Sequence, residues 1–161
     1  MKPDVQANID NCRADLDKIW HLMEALGTMT PVSGYLTKFA IIRICGTLEV
    51  CYKSIIADYY EAFSPELQRY IGIHVRSASL NAQYESICKV LKEFSEEKHN
   101  KFKDIISSII NKEQIITAMA ELNNARNKVA HGNSTAMSFN DMKQKFEDTI
   151  VILEKLDEVL S

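Results

Sequence analysis

The chain has 161 residues, 46% of them hydrophobic and 25% charged, with a formal net charge of −3 at pH 7. That length suits one domain that buries a single core without disulfides, and the composition argues against disorder. The acidic balance excludes a broad electrostatic grip on long duplexes, so a nucleic-acid role requires a local positive site, for instance one assembled between subunits.

From the N-terminus, Val5, Ile9, Cys12, Leu16, Ile19, Met23 and Leu26 recur at spacings of four and three. This pattern predicts an amphipathic helix ending near Gly27. Pro31, Ser33 and Gly34 read as a loop. From about Tyr35 to Phe63 apolar residues surround most of the next helix, among them Ile41, Ile42, Ile44, Leu48, Val50, Cys51, Ile55, Ile56 and Tyr59. An all-round apolar helix is expected at the centre of a bundle. Ser64-Pro65-Glu66 has the form of a cap, a first-turn proline and a first-turn acid, and predicts a helix to about Arg76.

Tyr84, Ile87, Leu91 and Phe94 mark a further helix that runs out in the charged stretch 95–103. Phe102, Ile105, Ile106, Ile109 and Ile110 predict a short helix. Ile115, Met119, Leu122 and Val129 predict a longer one ending at His131-Gly132. Ser138 and Asp141 have capping-box-like spacing before a last helix lined by Met142, Phe146, Thr149, Leu153, Leu156 and Leu160. With no internal repeat and no convincing strand, the fold class is all-α: a helical bundle with short accessory helices.

No run approaches the ~20 uncharged apolar residues of a membrane span. The first residues turn acidic without an apolar signal core, so a cytoplasmic protein is expected. Cys12, Cys45, Cys51 and Cys88 lack CxxC or Cys/His ligand spacing. They read as buried reduced thiols, with a structural zinc or a disulfide as the alternative. There is no Gly-rich phosphate loop, no H-E-x-x-H and no carboxylate pair spaced for acid–base work.

One segment departs from what a plain bundle requires. Projected at ~100° per residue, Ile115, Ala118, Met119, Leu122, Ala125 and Val129 share one face, and Arg126 falls near its middle. A guanidinium cannot shed its proton, so if buried it must be paired or face a wet cleft. Asn123, Asn127 and His131 follow one another at i, i+4 along the flank of that stripe. Asn127 is thereby placed to hydrogen-bond the imidazole and hold one tautomer. Glu49 projects beside Ile42, Ile56 and Tyr60, away from the strip of Arg43, Thr47, Ser54 and Asp58, which makes a Glu49–Arg126 pair the expectation.

A plainer reading stays open. Lys128 and His131 in a last helical turn, followed by Gly132, also satisfy ordinary helix-ending rules, and Arg126 could lie over apolar surface with its head in water. Among other residues, His74 between Ile73 and Val75 reads as a core or rim histidine. His99 with Lys98, Lys101 and Lys103 forms either a weak RNA-binding patch or a solvated turn, and His21 has no evident role.

The run Arg126-Asn127-Lys128-Val129-Ala130-His131-Gly132 resembles the R-x4-6-H signature of HEPN domains, including the polar residue after the arginine. Tyr35-Leu36-Thr37-Lys38-Phe39-Ala40-Ile41-Ile42, through Leu48-Glu49, is similar to the leading core helix of bacterial members, with the RiboL-PSP-type HEPN subfamily as the nearest likeness. The resemblance covers residues 30–160. The domain expectation is one HEPN-like unit, 1–161, with an N-terminal amphipathic helix at 1–29 and a bundle core at 30–161.

The resemblance implies a metal-independent endoribonuclease without cofactor, often a toxin or phage-defence protein. It implies Arg126 and His131 as catalytic residues, Asn127 as the orienting one, and a homodimer whose two motifs face one another in a composite active site. RNA would be cut by its own 2′-OH, leaving a 2′,3′-cyclic phosphate, and a toxic activity would call for an antitoxin or regulatory protein. The alternatives are a noncatalytic HEPN-like dimerisation or partner-binding module, and a nucleotide-binding helical domain serving a transferase. Five positions apart, Arg126 and His131 lie ~140° apart on an ideal helix. Bringing the two together therefore requires a loosened last turn or a partner chain.

Overall fold

Caps and prolines set where the helices begin. The Thr30 hydroxyl accepts the backbone N–H of Ser33 at 3.3 Å, and Pro31 sits at the first helical position, where a missing N–H costs nothing. The segment 31–34, expected as a loop, is therefore the first turn of a helix. Ser64, Ser95 and Ser138 cap in the same way, accepting from the N–H groups of Leu67, Lys98 and Asp141 at 3.1, 3.2 and 3.1 Å.

The computed structural model describes residues 1–61 and 63–161. Among these it forms α1 (Pro3–Leu26), α2 (Pro31–Tyr60), α3 (Pro65–Ile71), α4 (Tyr84–Phe94), α5 (Glu96–Ser107), α6 (Lys112–Ala130) and α7 (Phe139–Leu160), with no strand. The charged stretch 95–103 is not a run-out. Capped by Ser95, it is most of α5, with Phe102 and Ile106 on the buried side, whereas Ile109 and Ile110 lie beyond the helix end. α3 passes into a π-helical turn, Gly72–Arg76, closed by the N–H of Ser77 on the Gly72 carbonyl at 3.1 Å.

α2 is the hub, packed against α1, α6, α7 and α3 with its π turn, while α6 packs on α7 and the α4–α5 pair leans on α7 and α6. Val5, Ile9, Cys12, Leu16, Ile19 and Met23 of α1 are all buried, as the periodicity predicts. They meet a core built from Ile41, Ile44, Leu48 and Ile56 of α2 and Phe146, Leu153 and Leu156 of α7. Each such side chain, fully buried, contributes roughly 1.5–3 kcal/mol. No described helix is long and apolar enough to cross a membrane.

One expectation about α2 needs correction. The helix is apolar all round but not covered all round: Tyr35, Phe39, Ile42 and Val50 are 70, 55, 50 and 50% exposed. With exposed Gly46 they form one row along the helix, on the side that its neighbours leave open.

The connection from the π turn to α4, residues 77–83, has no helical structure of its own and is held by side chains from the core. Lys53 donates to the Ala78 carbonyl, Tyr52 to that of Leu80 at 3.3 Å, and Asn123 to that of Ala82. Lys53 and Asn123 are only 6% and 2% exposed, so each buried donor has its acceptor in this strap.

Candidate functional site

Arg126 stands in the penultimate turn of α6, half-buried, where the strap crosses that helix. Its Nη1 donates to the side-chain oxygen of Asn127 at 3.0 Å and to that of Asn81 in the strap at 3.4 Å. Both acceptors are neutral amides. Nε and Nη2 have no protein partner among the described residues, and neither belongs to the buried polar atoms left without one, which are confined to Tyr60 Oη and His99 Nδ1. The Nε–Nη2 edge therefore reaches solvent.

The expected Glu49–Arg126 pair is not formed within the chain. Glu49 instead closes on Lys53, one turn along its own helix, at 2.5 Å. Burial pushes the Cys45 thiol up to about 12, with Arg126 pulling it down and Glu49 pushing it up further. The two charges thus flank one thiol from opposite signs without meeting. The Cys45 Sγ donates to the Leu122 carbonyl at 3.4 Å, which fixes α2 against the turn of α6 that precedes Arg126.

Asn127 holds the arginine rather than the imidazole. Asn123, which opens the same i, i+4 series, is buried and anchors the strap through Ala82. His131 caps α6, exposed, its ring without a hydrogen-bond partner among the described residues. The helix closes behind it with the N–H of Gly132 on the Val129 carbonyl at 3.0 Å and that of Asn133 on the Lys128 carbonyl at 2.9 Å. Gly132 supplies the left-handed backbone at φ +79° that this closing pattern demands. Because α6 stays helical to Ala130, the ~140° between Arg126 and His131 is kept.

The lysine patch is divided. Lys98 donates to the Val159 carbonyl at 2.8 Å and lies over the Tyr59 ring at 5.0 Å, so it fastens α5 to α7 instead of facing a ligand. Lys101 and Lys103 are exposed on α5. His99 is half-buried, His74 is an exposed rim residue 4.3 Å from the Tyr70 ring, and His21 stands on the surface beside Glu24. All four cysteines are free thiols, three of them buried.

Sequence reasoning missed Asn81, Lys53 and Tyr52. Lys53 carried a readable signal, a cation four residues after Glu49 on the same helix. Asn81 carried none, lying in a segment without periodicity, 45 residues from its partner.

A family model described as RiboL-PSP-HEPN matches residues 15–161, from the middle of α1 to the last residue. No curated protein and no solved structure matches the chain.

Proposed function

The chain belongs to the RiboL-PSP-HEPN family, and from that premise we propose that it is a metal-independent endoribonuclease working as a homodimer in the cytoplasm. The observation that carries this reading is the arrangement at the end of α6. An arginine without a carboxylate partner among the described residues shows solvent one edge of its guanidinium, and an exposed histidine whose ring has no partner among them follows five residues later.

These residue types suit cleavage of RNA by its own 2′-OH. His131 takes the 2′-OH proton as the 2′-oxygen bonds to phosphorus. The imidazolium so formed returns that proton to the 5′-oxygen as the P–O5′ bond breaks, leaving a 2′,3′-cyclic phosphate. Imidazole is the side chain whose ordinary titration, between about pH 5 and 8, allows both roles. Arg126 stabilises the charge that grows on the non-bridging oxygens, and Asn127 keeps it aimed. DNA, lacking the 2′-OH, is left intact.

A regular α6 turns Arg126 and His131 away from a common point, so a second chain is the natural source of a converging histidine. The exposed apolar row of Tyr35, Phe39, Ile42 and Val50 supports such an interface, since it runs along the helix that carries Glu49 and Cys45 beside Arg126. Two arginines in one cleft would also offset the net acidity. Lys101 and Lys103 add outer contacts to RNA. A toxin or defence role, restrained by an antitoxin or regulatory protein, follows from such an activity. The same apolar row favours the second reading, a noncatalytic partner-binding module.

The test compares wild type with Arg126→Ala and His131→Ala on mixed RNA in EDTA. Cleavage by the wild type alone, with cyclic-phosphate ends, is expected. Intact RNA with all three proteins, alongside a stable complex with another protein, would replace the nuclease reading with the partner-binding one.

A further inference from the structure

Arg126 is handled differently from the arginines that serve the fold. Arg13, Arg43 and Arg76 meet carboxylates at 2.6, 2.9 and 2.6 Å. Their charge is neutralised where they stand. Arg126 has no carboxylate partner among the described residues and is held through Nη1 alone, by the two amide oxygens of Asn81 and Asn127. A neutral acceptor fixes the direction of a guanidinium without cancelling its charge, which is the requirement for gripping an incoming anion. With both Nη1 hydrogens engaged, the remaining donors of the side-on edge, Nε–H and Nη2–H, are parallel and reach solvent.

Asn81 is itself a fixed point. Its neighbours on both sides are tied to the core, Leu80 through the Tyr52 hydroxyl at 3.3 Å and Ala82 through buried Asn123. Its own carbonyl accepts the N–H of Gln83 at 2.9 Å. Asn123 lies one turn before Asn127 on α6, so the helix that carries the arginine also anchors the residue that orients it.

We propose that Asn81 is a positioning residue: with Asn127 it pins Nη1 of Arg126 so that the Nε–Nη2 edge is presented, at full charge, to an RNA phosphodiester. The ligand named here rests on the ribonuclease reading; the pinning of the arginine does not. The strap 77–83 is then part of the site, the piece that sets where the guanidinium points.

Two substitutions separate orientation from charge. Asn81→Ala removes the acceptor. Asn81→Asp keeps an acceptor oxygen in the same place but adds a negative charge that neutralises the arginine. Arginine side-chain ¹⁵N NMR, with the Arg126 signals assigned by their loss in Arg126→Lys, reads the orientation. A short RNA methylated at every 2′-oxygen, which cannot be cleaved, reads the anion grip.

Wild type is expected to show Arg126 signals sharpened by restricted rotation and to bind the methylated RNA. Asn81→Ala should lose the restricted signals and bind about tenfold more weakly. Asn81→Asp should keep the restricted signals and lose binding to a similar degree, a split that a purely structural asparagine would not produce. Unchanged Arg126 signals in a folded Asn81→Ala protein would overturn the proposal, and so would full binding by Asn81→Asp. If wild type neither binds nor cleaves RNA, the ribonuclease reading fails, and the arginine signals still decide whether Asn81 pins Arg126.

Discussion

Replacing Lys53 by methionine probes the tie between α2 and the strap. Methionine keeps the apolar stem of a side chain that is 7% exposed but removes the ammonium, which is bonded to Glu49 at 2.5 Å and to the Ala78 carbonyl. Removing one member of a fully buried ion pair costs about 3–5 kcal/mol. Glu49 keeps 23% exposure and regains some water, which lowers its share. The Ala78 carbonyl loses a charged donor, a contribution of about 1.5–3 kcal/mol. The two losses share one atom and are not additive, so a destabilisation of about 3 kcal/mol is expected, a fall in Tm of about 6–12 °C for a chain of this size.

Urea unfolding followed by Trp20 fluorescence is the assay, since that ring stacks on Phe139 at 5.5 Å and reports the α1–α7 contact. Glu49→Gln combined with Lys53→Met should recover part of the loss but less than half, because the unpaired charge disappears with its partner while the Ala78 carbonyl still lacks its donor. A loss under about 0.5 kcal/mol for the single variant, the range of a surface lysine, would refute the burial argument. A double variant less stable than the single one would refute the pairing.

Gly132→Ala should cost about 1–2 kcal/mol, because φ is +79° and no neighbouring atom would meet the new methyl group, leaving backbone strain as the whole effect; Gly132→Asn should cost less, and thermal unfolding of both variants checks the order. Burial pushes the thiols of Cys45 and Cys51 up to about 12, so a thiol reagent at pH 8 should modify neither in the folded chain, half-buried Cys88 should react first, and urea should expose all four. The Arg76 guanidinium holds the Glu61 carboxyl below its usual value, a depression whose stabilisation is present above the unfolded value of about 4.3 and is lost as pH falls through the folded one. Arg76→Ala should therefore flatten the acid side of a stability-versus-pH curve, and denaturation midpoints between about pH 3 and 6 measure it.

The long helices were legible because burial is periodic in them. The stripe of α1, the capped start of α7 at Ser138 and the end of α6 at Gly132 all stand where the pattern puts them. Segment 31–34 was misread because proline, serine and glycine weigh toward a loop, although Thr30-Pro31 is the same cap-and-proline pair that was recognised at Ser64-Pro65. α5 was cut short because its charged outer face outnumbers Phe102 and Ile106, the residues that bury it. Arg126 was legible as a charge on an apolar face, but its holders were not. Helical projection places a side chain on its own element and carries no information about a nonperiodic strap packed against it. The remote pairing expected for Glu49 failed against the nearer Lys53, whose tether costs less chain entropy than a partner on another helix.

The strap is engaged at alternate carbonyls, those of residues 78, 80 and 82, by donors fixed in α2 and α6. Adding or deleting one residue between them would turn the following carbonyls to the opposite side, as a slipped register does in an extended chain. The link between the π turn and α4 is accordingly keyed to its length. Surface loops ordinarily drift freely in length, and 133–137, which lies between Gly132 and the Ser138 cap, has no comparable key among the described residues. Among descendants of a common ancestor, the 77–83 segment should therefore vary in sequence outside Asn81 while keeping its residue count.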